Sequence, residues 1–446
     1  MSAQPREMAR NSWRLLRVGD IRRLLMLYAV LVLYSAVYVH FWADQLSPLI
    51  HYDFIGYDSM KPGVYRLLTF LTPLAILPIG TRLRAPGQFI AGALAVLLFI
   101  PIPIVFVAMV TTPAFWGVYA LLWVGYFSVC TLASISIKIN FPITSERQFR
   151  SMVVGVYIVF ALGFVYVLAT NHVSIVGFND TRAAREDVAV FGIQGYLLVS
   201  YITSFGGLLI AMAIMLRKYY LVPLAIGGFI VCYAALTERN AVLMPAWIIY
   251  IYFAHKLFFR NSTTRFLITV MMPFLCGTLF ADVIGTDDTE TFLYRAFTLM
   301  NYRLFSVPAV AFNVYYNFFQ THPLTYWSHI NIITNFVSYP YAAPLSLVMA
   351  DAYGLGNYNA SFLETDGLAA AGTTALPFVS ILFGLMLMGI NSCMSKLNLT
   401  VIAIVAAGPS IALMDTGIGP SLLTNGLAPL AILLLFAPRT AAWNLR

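Results

Sequence analysis

The chain has 446 residues, 60% of them from the set AVILMFWYC and only 10% charged, with a formal net charge of +8. That mixture excludes an ordinary soluble globular domain, in which about a quarter of residues are charged. The positive balance does not indicate a nucleic-acid binder, because the basic residues are spread over short loops without an aromatic-interleaved patch.

Arg6, Arg10, Arg14, Arg17, Arg22 and Arg23 precede a first apolar run that lacks a small-residue cleavage site, so a cleavable signal peptide is not expected. Runs able to cross a ~30 Å hydrocarbon core follow at 24–43, 66–80, 88–110, 114–137, 151–169, 191–216, 219–236, 241–255, 266–283, 373–393, 398–415 and 420–437. The pattern predicts an all-α polytopic membrane protein with about 12 transmembrane helices, one membrane domain over residues 1–446. Cys130, Cys232, Cys276 and Cys393 lie inside these runs without metal-ligand spacing and read as small buried thiols.

With the N-terminus in the cytoplasm, nineteen of the 26 Lys and Arg residues fall on the inner side, among them Arg82, Arg84, Arg147, Lys256, Arg260 and Arg446. That asymmetry obeys the positive-inside rule. Both termini are therefore expected in the cytoplasm of a bacterial inner membrane.

Between the ninth and tenth runs lies segment 284–372, expected as a large structured periplasmic loop. A loop of this length is functional or disordered, and its many Tyr, Phe and Trp residues contradict the composition of disorder. A helix is expected from about Glu290 to Phe319, with Asp287, Asp288 and Glu290 near its positive end. An irregular, membrane-hugging stretch follows Thr321-His322-Pro323.

Three outer arginines are candidate pyrophosphate ligands. Arg239 sits in the short turn Thr237-Glu238-Arg239-Asn240, and Arg295 and Arg303 are spaced to share one side of the expected helix. Arginine suits this role because its planar fork donates bidentate hydrogen bonds and keeps its charge. A second reading stands beside two of them: Arg239 pairs with Glu238 or snorkels to headgroups, and Arg303 holds lipid phosphate. His329 and His322 are candidate general bases, or simply hydrogen-bonding loop residues. Asp351, Glu364 and Asp366 supply carboxylates, of which at least two are expected to be solvated. Tyr302, Tyr326 and Trp327 read as sugar platforms or as an interfacial aromatic belt.

The combination of Thr237-Glu238-Arg239, Tyr294-Arg295, Asn301-Tyr302-Arg303-Leu304-Phe305 and Tyr315-Tyr316-Asn317-Phe318-Phe319 resembles the Wzy-type oligosaccharide repeat-unit polymerases. Further on, Asn357-Tyr358-Asn359-Ala360-Ser361-Phe362 and Asp366-Gly367-Leu368-Ala369-Ala370-Ala371-Gly372 strengthen the likeness. The resemblance implies an O-antigen polymerase of the lipid-linked-sugar glycosyltransferases. It would move an undecaprenyl-pyrophosphate-linked oligosaccharide onto a new lipid-linked repeat unit at the periplasmic face. It further implies glycan contacts at Asn357 and Asn359, catalytic roles among His329, Asp366 and His322, membrane lipids as surroundings and a chain-length regulator as a partner. No cofactor or metal is expected. An O-antigen ligase, which passes the finished glycan to lipid A–core, shares the donor. A transporter or flippase is the rival of another class, although transporters place ionisable residues near the midplane and these runs have almost none.

Overall fold

The computed structural model describes residues 18–42, 62–109, 115–137, 144–171, 175, 192–284, 301, 304–330, 333–354, 363, 365–394 and 397–438. Among them the chain is helical, the sole ladder contact being a bridge between Arg82 and Ser262. The first half runs through α1 (Val18–His40), α2 (Pro62–Ile76), α3 (Pro86–Leu94), α4 (Pro101–Met109), α5 (Phe115–Ala133) and α6 (Glu146–Thr170). Then come α7 (Ile193–Ser200), α8 (Gly206–Met215), α9 (Leu221–Leu236), α10 (Arg239–Ala254) and α11 (Thr263–Ile284). The loop contributes α12 (Val307–Phe318), α13 (Leu345–Tyr353) and α14 (Thr365–Ala371). The chain finishes with α15 (Leu376–Met394), α16 (Leu399–Asp415), α17 (Ile418–Leu422) and α18 (Leu427–Leu435).

Eight helices among the described residues are long and apolar enough to cross a membrane, so the chain is a multi-pass helical membrane protein. Four shorter apolar helices, at 63–79, 221–236, 399–414 and 419–435, fall where the remaining four spans are expected. The span expected at 66–80 begins earlier, at Pro62, a proline tolerated at a helix start.

The centre of the bundle is α3 and α4, joined by a π turn at Ala95–Phe99. Every residue from Pro86 to Ala108 is buried, as expected of a helix apolar on all sides. The turn has a local cause. Ile100 N–H reaches back to Ala95 O at 3.2 Å, and the next residue, Pro101, has no N–H to give. Around this axis the helices meet through small residues, the usual device where lipid gives no hydrophobic drive for helix association. A Cβ on Gly125 of α5 would lie 2.5 Å from Ser380 Oγ of α15, and one on Gly384 would lie 2.7 Å from Leu132 Cδ1.

Polar side chains tie the helix ends at one pole. Asn391 donates to Ala133 O and Ile135 O, both at 2.8 Å, and accepts from Gly87 N–H at 2.6 Å. Arg82, Arg84, Arg147, Arg150, Arg217, Lys218, Lys256, Arg260 and Arg265 all fall at this end of their helices or in its loops. We refer to it as the basic end.

The described part of the loop packs into the bundle. Residues 290–300 and 302–303 of the helix expected over 290–319 lie outside the described residues. What is described breaks at Ser306 and restarts as α12, with Pro308 in its first turn. All of α12 except Val307 and Asn317 is buried. Phe312 and Tyr316 pack edge-on against Phe106 of α4, with ring centroids 5.2 and 5.0 Å apart, and Tyr38 of α1 donates to Phe305 O at 2.7 Å. The aromatic density that excludes disorder is thus spent on packing into the bundle. Two of the four cysteines depart from expectation: Cys130 and Cys232 are buried, but Cys276 is exposed and Cys393 only partly covered.

Candidate functional site

The loop returns to the bundle at the end opposite the basic one. Thr325 N–H and Tyr326 N–H donate to Ala369 O at 2.8 Å and Ala370 O at 3.1 Å, which fastens residues 325–326 to the C-terminal half of α14. The next step is strained. Tyr326 and Trp327 both take positive φ, +47° and +67°, a region that costs a non-glycine residue roughly 1–2 kcal/mol. Ser328 closes the turn by donating through N–H and Oγ to Thr325 O, at 2.9 and 2.5 Å. The result folds His329 back beside Thr325. Such outliers are held only where the surroundings over-determine them, and they gather at functional sites.

His329 Nε2 then lies 3.3 Å from Asp366 Oδ1, with the two side chains 10% and 2% exposed. The sequence reading leaves His329 open as an ordinary loop histidine and expects most of these carboxylates to be solvated. Asp366 is the one that the first turn of α14 carries inside the fold, while Asp351 is exposed. Glu364 lies outside the described residues.

On the other ring nitrogen, His329 Nδ1 stands 2.9 Å from Thr325 Oγ1, and that hydroxyl donates to Ala369 O at 3.0 Å. A hydroxyl has one proton. With it committed to Ala369 O, Nδ1–H must donate to Thr325 Oγ1, and the network assigns this tautomer. Nε2 is left as the ring nitrogen that faces the Asp366 carboxylate. Trp327 covers the imidazole face, ring centroids 6.2 Å apart at 30°, and Tyr326 stands exposed beside it.

Two further elements wall the pair. Tyr315 of α12 is fully buried; burial pushes its phenol well above the usual range, and the Asp366 charge pushes it further. Its hydroxyl therefore stays protonated and able to donate. On the other side is the corner between α16 and α17. A Cβ on Gly417 would lie 2.9 Å from Asp366 Oδ2 and 3.0 Å from Oδ1, so any other residue there would push on the carboxylate.

Arg239 belongs to the same level. It opens α10 just after Thr237, which ends α9 in the left-handed region, and it is half-buried. Helices α10 and α16 run antiparallel. His255 meets Thr400 at 3.4 Å, and Trp247 Nε1 donates to Ala407 O at 3.2 Å. Another step of the same size, a rise of about 12 Å, brings Arg239 level with Asp415, two residues from the Gly417 corner.

His322 is not drawn in. It stacks on Phe318 with ring centroids 3.8 Å apart, and its Nδ1 lies 2.9 Å from Phe318 O at the end of α12. It caps a helix. Arg295, Arg303, Tyr302, Asn357 and Asn359 lie outside the described residues. Thr325, Tyr315 and Gly417 are the site residues that sequence reasoning misses. Only Thr325 carries a local signal, its four-residue spacing from His329. No protein-family model, no curated protein and no solved structure matches the chain.

Proposed function

We propose that the chain is a glycosyltransferase that polymerises lipid-linked repeat units of a bacterial surface polysaccharide at the periplasmic face of the inner membrane. The reading assigns about 12 spans with both termini in the cytoplasm, and it puts the end bearing Asp366 outside. The observation that carries it is the buried His329–Asp366 pair at the end opposite the basic one. Such a pair suits a transfer that must take a proton from a sugar hydroxyl where little water reaches.

In the reaction, the acceptor oxygen forms a bond to the anomeric carbon of the growing glycan. The bond from that carbon to undecaprenyl pyrophosphate breaks, and the hydroxyl proton passes to the His329–Asp366 pair. Asp366 steadies the imidazolium, while Thr325 holds the ring through Nδ1. The departing pyrophosphate calls for fixed cations. Arg239 stands at the right level, and Arg295 and Arg303 take this role by the family resemblance. Tyr326 and Trp327 offer faces for sugar rings, with Tyr302, Asn357 and Asn359 as further glycan contacts. Neither this chemistry nor the residues ask for a cofactor.

A gel of surface polysaccharide from a strain lacking the gene tests the proposal. A single repeat unit on lipid A–core is the expected outcome. Core without any repeat, with polymer accumulating on the lipid carrier, would instead make the protein a ligase. An unchanged ladder would reject both.

A further inference from the structure

The second concentration of unusual chemistry lies at the basic end, in a cavity of about 890 Å³. Five cations line it: Arg23 of α1, Arg82 of the loop between α2 and α3, Lys256 and Arg260 at the end of α10, and Arg265 of α11. No carboxylate is among its described lining residues. Asp20 pairs with Arg23 from outside the lining at 3.6 Å, in an exposed contact of the kind that contributes little.

The positive-inside rule explains why basic residues occupy this side, but not why they converge on one cavity through dedicated backbone ties. Gln88, buried in α3, shapes the Arg82 loop. Its Oε1 accepts from Arg84 N–H at 2.7 Å and Ala85 N–H at 3.2 Å, and its Nε2 donates to Ile79 O at 2.7 Å and Arg82 O at 3.2 Å. That loop is then fastened to the start of α11. Leu83 N–H donates to Asn261 O at 2.8 Å and Thr263 N–H to Thr81 O at 3.3 Å, on either side of the Arg82–Ser262 bridge.

Arg260 is held at φ +48°, in the region a non-glycine residue avoids, just after the π turn His255–Phe259. Lys256 lies over the Tyr252 ring at 4.7 Å and Arg265 over the Phe258 ring at 5.8 Å, so their side chains are ordered rather than splayed apart. His255, nine-tenths buried, also lines the cavity. Its Nδ1 is spent on Thr400, and its buried Nε2 makes no hydrogen bond to any described residue. Like charges are thus held together at the cost of mutual repulsion, an arrangement that an anion relieves.

We propose that this cavity binds a phosphate-bearing anion. The volume exceeds what inorganic phosphate needs and lies within the range of small-ligand sites. Guanidinium forks and an ammonium are the groups that recognise phosphate oxygens. Two sources share this chemistry. One is the headgroup of an anionic phospholipid, for which basic pockets between transmembrane helices are typical sites; Leu25 and Met26, exposed on α1 beside Arg23, would meet its acyl chains. The other is a soluble pyrophosphate compound. The inference does not depend on the glycosyltransferase reading.

The test is calorimetric titration of the full-length detergent-purified protein with inorganic pyrophosphate. It is paired with native mass spectrometry of the protein from nanodiscs of phosphatidylglycerol mixed with phosphatidylcholine. Saturable pyrophosphate binding, or selective retention of phosphatidylglycerol, is expected of the unaltered protein. Retained lipid assigns the headgroup, and pyrophosphate binding without retained lipid assigns the soluble anion. Arg82→Ala with Arg260→Ala should weaken whichever binding is seen at least tenfold. Arg147→Ala with Arg150→Ala, which removes the same charge from the same end but outside the cavity, should leave it unchanged. If the first double variant does not fold, Lys256→Gln and Arg265→Gln, taken singly, should each weaken binding severalfold. Absence of both kinds of binding in the unaltered protein, or equal losses inside and outside the cavity, would overturn the proposal.

Discussion

At the basic end, Arg82, Lys256, Arg260 and Arg265 are exposed around a broad cavity, and no carboxylate is among its described lining residues. At the opposite end, Asp366 is enclosed at 2% exposure, 3.3 Å from His329, with Gly417 leaving just enough room for its carboxylate. Exposed cations on long stems keep most of their hydration, so the basic end can gather many without desolvating them, and only their mutual repulsion opposes it. An enclosed carboxylate loses its water and persists only with close partners. The basic end is therefore built for something that arrives already charged. On the proposed function, the Asp366 end holds a proton in a fixed place.

The comparison can be broken most severely at the pair itself. His329→Ala takes away the group facing a buried carboxylate and leaves the buried Thr325 hydroxyl without its partner, a loss of about 1–3 kcal/mol, with a cavity beside it. We expect a clear fall in melting temperature for His329→Ala, whereas Arg260→Ala at the basic end should leave it nearly unchanged. Differential scanning fluorimetry in detergent checks this. Similar small shifts in both would remove the contrast.

Gly417→Ala is the next largest. Backbone angles of φ −68° and ψ 174° suit alanine, so the effect comes from the added methyl group pressing on Asp366 at 2.9 Å. Overpacking of this kind costs about 1–3 kcal/mol. We expect polymer yield to drop about tenfold or more, for a 1.4 kcal/mol displacement, with the protein still monodisperse by size-exclusion chromatography. Normal yield would mean that the carboxylate position is unimportant.

Thr325→Val sharpens the comparison, because it keeps the shape and removes only the hydroxyl that orients His329. A buried hydrogen-bonding group left without its partner costs about 1–3 kcal/mol. Yield should fall for Thr325→Val and recover in Thr325→Ser, as read on gels at matched expression. The smallest effect is expected from Tyr326→Gly. Tyr326 is exposed and strained at φ +47°, so glycine should raise stability by about 1 kcal/mol or less. If the ring is a sugar platform, glycan binding should weaken at the same time. A lower melting temperature would show that the ring packs.

Much of the architecture is legible from hydropathy, since a span must be apolar over about 20 residues wherever it stands in the bundle. Its place is not. Residues 86–108 and α6 are both strongly apolar, yet the first is wholly buried while α6 exposes Ile158, Leu162 and Val165. Lipid and protein interior are equally apolar, so composition cannot separate them. For the same reason α12 reads as part of a surface loop although it packs among the spans. In the site, His329 and Asp366 are visible as chemistry-bearing types, but their meeting depends on two positive φ values at Tyr326 and Trp327, which neither residue signals. Gly417 is one of 29 glycines, and only tertiary contact marks it.

The most direct measurement is the rate of polymer formation from purified lipid-linked repeat units by the full-length protein, comparing the unaltered chain with Asp366→Asn and His329→Gln. Both substitutions keep the side-chain size while removing the carboxylate or the imidazole. Each should lower the rate by about 10²–10⁴-fold, the usual contribution of a positioned acid–base group, in protein that remains folded and embedded. Rates equal to the unaltered protein in both variants would contradict the assignment of His329 and Asp366 as the group that moves the proton.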